Sequence, residues 1–128
     1  MAVTHSSAAR NDMADAVAAL ANAGSGSTTL IIGTSSLATS GTTGVLCSIN
    51  IPDFTVSGAV ATSAADTDSG VASASGTAAI GAVRDGNGTE VFRGSVGVGS
   101  GDIQISSTTI ASGDTVTLTS DITWTAPS

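Results

Sequence analysis

From residue 28 onward, short apolar segments are interrupted again and again by Gly, Ser and Asp. No other feature restricts the fold so strongly. In the last third, Ile103 and Ile105, Val116 and Leu118, and Ile122 and Trp124 each leave one residue between them. Alternate residues of an extended chain point to opposite faces, so each pair marks one buried side of a strand. TTLIIGT, TGVLCSINI, FTVSGAVATSA, VASASGTAAIGAVR and EVFRGSVGV add further strand regions. Close spacing and polar turns predict a mostly β fold, an antiparallel β-sandwich or jelly-roll-like domain.

The exception is SSAARNDMADAVAALANAG, where Ala9, Met13, Val17, Leu20 and Ala21 recur at helical spacing. Ser6 or Ser7 caps its start and Gly24 stops it, so one N-terminal α-helix is expected. Its apolar stripe is largely alanine, which lets a helix lie close against a sheet. The 128 residues fit a single domain. It divides into an N-terminal arm (1–7), a helix (8–23) and a β-sandwich (27–126). Leu, Ile, Val and Phe make up only about a fifth of the chain, so the core is thin.

Charge removes several function classes. The net charge is −7, lysine is missing and the only cations are Arg10, Arg84 and Arg93. Phosphate backbones are bound mainly by Lys and Arg, so no nucleic-acid partner is expected. No apolar stretch approaches the ~18 residues of a membrane span, and the N-terminus has no signal-peptide core; no membrane partner is expected. Lysine is also the usual guard of exposed sheet edges, and without it the edges need pairing or cover from another chain.

Catalytic and cofactor chemistry find little to work with. AGSGSTT and GSVGVGSGD are Gly-rich, but a phosphate loop requires Gly-Lys-Ser/Thr. His5 is the only histidine and no G-x-S-x-G elbow occurs, so nucleophilic catalysis has no base. Cys47, alone in GVLCSINI, reads as a small buried hydrophobe. Asp53, Asp66, Asp68, Asp85, Asp102, Asp114 and Asp121 all fall at turns, where carboxylates bond to nearby backbone. The expectation is no enzyme, no cofactor and no metal.

RDGNGTEVFRG is the one segment that resembles a cation loop. Counted from Asp85, an EF-hand needs Gly at position six and Glu at position twelve; Glu90 and Val96 stand there. A hairpin explains the segment better. A three-residue Gly86-Asn87-Gly88 loop with Gly88 left-handed sets Arg84 opposite Glu90, Val83 opposite Val91 and Ala82 opposite Phe92. Opposite charges then pair across the ladder, a gain of roughly 0.2–1 kcal/mol. This register puts Val83 and Val91 on a second apolar face, away from Ile80, Ala82, Phe92, Val96 and Val98. That face is expected to be covered by the helix or by a neighbouring chain.

AARNDMADAVAALANAG, TTLIIGT, SGTAAIGAVRDGNGTEVFRGSVG, GDIQISSTTIASGDTVTLTS and the closing TWTAP, taken in order, resemble small structural proteins of tailed bacteriophages. The resemblance is to head and tail components described as decoration or cement proteins, and it spans most of the chain. It implies a homo-oligomer, dimer or trimer, on the outer surface of a capsid head, with the major capsid protein as partner. No catalytic residues come with it. The interface candidates are Met1, Ala2, Val3, Thr4 and His5 in the arm, Val83 and Val91 in the hairpin, and Thr125, Ala126, Pro127 and Ser128 at the end. A tail-associated subunit (tube, terminator or fibre-associated) is the alternative. A carbohydrate-binding or adhesin-like β module is a third reading, opposed by a chain with only three aromatics, Phe54, Phe92 and Trp124.

Overall fold

The structure is a computed structural model that describes residues 3–128. It is mostly β, 39% strand and 12% helix, with the one helix at the N-terminus and a curled, largely antiparallel sheet system consistent with a sandwich. After α1 (Ser7–Ala21), the chain forms β1 (Thr29–Gly33), β2 (Val45–Asn50), β3 (Thr55–Ser57), β4 (Val60–Ser63), β5 (Ser69–Val71) and β6 (Gly76–Thr77). There follow β7 (Ile80–Arg84), β8 (Glu90–Gly97), β9 (Ile103–Gln104), β10 (Thr109–Ile110), β11 (Thr115–Thr117) and β12 (Ile122–Thr125).

α1 starts one residue earlier and ends two residues earlier than the sequence pattern predicts. Ser6 is the N-cap, its Oγ accepting the Ala9 N–H at 3.1 Å. Asn22 is the C-cap, and Gly24 follows with φ +93°. The buried face is centred on Ala14, Ala18 and Ala21, whereas Leu20 is 60% exposed. The stripe is therefore rotated from the predicted one. Only methyl groups fit where the helix meets β3 and β4, and the bulkier Leu20 is turned outward.

The largest sheet has strand order β2-β1-β7-β8-β9. A three-stranded sheet runs β12-β4-β3, and β10-β6 and β11-β5 form two short ladders. FTVSGAVATSA, read above as one strand, is the β3–β4 hairpin. Ser57 pairs with Val60 across Gly58-Ala59, and Gly58 takes φ +61°, a conformation open to glycine in a tight hairpin loop. VASASGTAAIGAVR likewise divides among the end of β5, β6 and β7. The β8–β9 pair is parallel and only two residues long. Its short return runs through Gly99 (φ +70°) and Gly101 (φ +87°), a path that side-chain-bearing residues would strain.

The main core is filled from both sides of the sandwich. Leu30, Ile32, Cys47, Ile49 and Val83 come from the large sheet; Ala61, Ile110, Val116, Leu118 and Ile122 come from the strands opposite. Each fully buried Leu or Ile contributes roughly 1.5–3 kcal/mol. A second, smaller cluster of Ile31, Leu37 and Ala82, with Val45 and Ile80, lies apart from it. Alternation explains the split: Ile31 and Ala82 are ladder partners, out of phase with Leu30, Ile32 and Val83. Leu37, from the β1–β2 connection, covers this face.

Candidate functional site

The β7–β8 hairpin is built from its tip. Asp85 Oδ1 accepts the N–H groups of Asn87 and Thr89, both at 2.9 Å. The Asp85 N–H donates to the Thr89 carbonyl at 2.9 Å, and Gly88 takes φ +85°. This is the expected glycine-terminated loop. The carboxylate forms the turn. The tip also docks on the link between α1 and β1: Gly86 N–H donates to Ala23 O (2.8 Å) and Gly26 N–H to Gly86 O (3.2 Å). A Cβ at Gly86 would collide with the Gly26 backbone, so glycine is required for the approach.

Arg84 stands opposite Glu90, as expected, but a bulge follows at once. Val83 pairs with Phe92, not Val91, and Ala82 with Arg93, not Phe92. The extra residue, Val91, reverses the face of everything beyond it. Glu90 and Arg93, three apart, come to the same side and form an ion pair at 2.7 Å, with Arg93 Nε to Glu90 Oε2 at 3.1 Å. The hydrogen bonds it donates to Glu90 hold the Arg93 guanidinium above its ordinary pKa. Arg84, only 6% exposed, donates instead to Gly41 O (2.9 Å) and Ala38 O (3.0 Å). Arg93 Nη1 also reaches Leu37 O at 3.1 Å. Two arginines thus clamp the β1–β2 connection over the second cluster.

The predicted interface residues fall in three places. Met1 and Ala2 lie outside the described residues. Val3 (78% exposed) and Thr4 are open to solvent, as are Thr125, Pro127 and Ser128. His5 is half-buried, with Nδ1 2.9 Å from the main-chain oxygen of Ser128, so arm and tail meet. Ala126 is buried, its N–H donating to Ala59 O (2.9 Å) and its carbonyl accepting from Arg10 Nη2 (3.2 Å). Val83 is fully buried in the main core and Val91 is half-buried against it. The face expected to be covered by the helix or by a neighbouring chain is covered by the chain's own core: the bulge turns Val83 and Phe92 inward together, and Val91 packs against the same cluster.

A cleft of ≈ 160 Å³ opens between β8, β9 and β12. Phe92, Ile103 and Ile122 form its apolar floor, and Trp124 and Asp102 stand at its sides. Phe92 meets Phe54 edge-to-face, with centroids 5.9 Å apart and ring planes at 76°. Phe54 is itself pinned, because the Asn22 side chain bonds both its N–H (2.7 Å) and its C=O (2.9 Å). Asp102 is fixed by Ser95: Oδ2 accepts from Ser95 N (3.0 Å) and Oγ (3.2 Å), while Asp102 N donates to Ser95 Oγ (3.1 Å). Gly94 makes room, since a Cβ there would come within 2.8 Å of the Asp102 Cβ. β12 ends the three-stranded sheet, and Thr123 and Thr125 line the cleft from it.

Residue-type reasoning missed this cleft. Its signals were present in the only tryptophan, alternating with Ile122, and in an Asp that ends a glycine-rich turn. Nothing local says that strands some thirty residues apart meet. Among the described residues, no three His, Cys, Asp or Glu side chains gather as metal ligands, and no helix is long and apolar enough to cross a membrane. No protein-family model, curated protein or solved structure matches the chain.

Proposed function

We propose that this protein is a structural subunit that decorates a phage capsid and stabilises it by bridging neighbouring capsomers. The observation that carries the reading is the His5–Ser128 contact at 2.9 Å. It joins the exposed arm and the exposed tail, the two segments expected to touch neighbours, into one surface beside the outer strand of a sheet. A second support is the use made of the charged groups. Arg10, Arg84 and Arg93 each bond main-chain carbonyls, and Asp85, Asp102 and Asp114 each accept backbone N–H groups. These groups hold loops in place, as a subunit acting through its surface requires.

The mechanism is multivalent. Each contact is modest, but subunits that bridge several capsomers sum them, and binding only the assembled lattice stabilises it by mass action. Stepwise disassembly of virions carrying this chain, followed by mass spectrometry, tests the location; recovery only with tails overturns the reading. Heads stripped of the protein are expected to lose DNA at lower temperature and to recover on adding it back. Unchanged heat resistance would count against a clamp.

A further inference from the structure

We infer that the cleft between β8, β9 and β12 is a binding site for a single neutral sugar ring, a pyranose presented by a glycan. Size comes first. A cavity of about 150 Å³ holds one benzene ring, so ≈ 160 Å³ takes one six-membered ring and little more. The walls then select its chemistry. Trp124 packs against the main core yet is only partly buried, and its indole N–H makes no hydrogen bond among the described residues. It offers an apolar ring surface with a free donor beside it, the combination suited to ligands with both apolar and polar faces.

Asp102 supplies the acceptor. The carboxylate accepts both the Ser95 backbone N–H and its Oγ–H at Oδ2, leaving Oδ1 without a protein partner among the described residues. A carboxylate held in this way accepts hydroxyl donors without first having to be ordered. A purely aromatic ligand would make no use of Oδ1. Arg93 also lines the cleft, but its guanidinium is engaged by Glu90 and the Leu37 carbonyl, so an acidic sugar would meet the Asp102 charge on a chain of net charge −7. A neutral polyol ring satisfies the stacking surface, the donor and the acceptor together. The objection that three aromatics are too few loses its force here: Phe92 and Trp124 share the cleft, and Phe54 braces Phe92 from behind.

Trp124 is the only tryptophan, so its emission reports on this cleft alone. The full chain is titrated with the methyl glycosides of glucose, galactose, mannose and N-acetylglucosamine, and with choline as a cationic control. A saturable millimolar response to at least one glycoside is expected, with amide shifts at Gly94, Asp102 and Thr123. In D102N, checked for an unchanged fold by its amide spectrum, the midpoint is expected to weaken roughly tenfold or more, as for loss of a charge-assisted hydrogen bond. W124F, followed by amide shifts, is expected to weaken binding while keeping the fold. No saturation with any glycoside, an identical titration in D102N, or a response to choline alone overturns the inference.

Discussion

Glu90 is bound by Arg93, 2.7 Å away on its own strand, although Arg84 stands directly opposite it in the β7–β8 ladder. One bulged residue, Val91, decides this. In a regular strand residues three apart face opposite sides; with one residue inserted they face the same side. The freed Arg84 is buried beneath the β1–β2 connection, where its Nε has no partner among the described residues and its two terminal nitrogens hold carbonyls.

The two arginines should therefore differ sharply. Arg84→Ala leaves the Ala38 and Gly41 carbonyls unpaired under a loop, and is expected to cost about 1–3 kcal/mol in urea unfolding. Arg93→Ala removes a partly exposed ion pair and is expected to cost less, about 1 kcal/mol or under. A double-mutant cycle should show coupling of Glu90 to Arg93 and none to Arg84. Coupling to Arg84 instead would mean the bulge is misplaced.

Gly86→Ala tests the docking of the hairpin tip. The new methyl group has the Gly26 backbone in its way, and a shift of either loop is expected to cost roughly 1–3 kcal/mol, the usual range for overpacking. Gly88→Asn, at a left-handed position with open space, should be tolerated far better. Equal Tm values for the two variants would contradict the close approach.

On α1 the largest aliphatic side chain, Leu20, is 60% exposed and lies outside the core clusters. Leu20→Gln is expected to change stability by no more than about 0.5 kcal/mol, as for ordinary surface positions. Ala18→Leu forces bulk into the contact with the main core and should cost about 1–3 kcal/mol. The opposite order in thermal melts would restore the face read from the sequence.

Cys47 has no exposed surface, and burial pushes its thiol pKa up. Thiol reagents should label it only as fast as the chain opens, and labelling at the rate of a free thiol would overturn its placement. A pH effect follows. As pH rises through the ordinary thiol value, the unfolded chain gives up its proton while the folded chain keeps it. The unfolded state then binds fewer protons, so this group's contribution to stability falls as pH increases. Cys47→Ala should remove that part of the alkaline decline.

The sequence by itself determined what depends on near neighbours. Alternation marked the inward-facing pairs Ile103/Ile105, Val116/Leu118 and Ile122/Trp124; Ser6 or Ser7 and Gly24 marked the helix ends to within two residues; Asp85 and Gly88 marked the hairpin loop. Each rests on backbone geometry within a few residues. Tertiary structure decided which distant groups meet. Val91's bulge exchanged the partners of Glu90, closeness to β3 and β4 turned Leu20 outward, and the arrangement of β8, β9 and β12 gathered Phe92, Asp102 and Trp124 around one cleft. A parity change of a single residue reverses a strand's faces, and no local preference records it. The chain's turns were therefore legible in its sequence, while its charge pairings and its cleft came only from the way its strands pack.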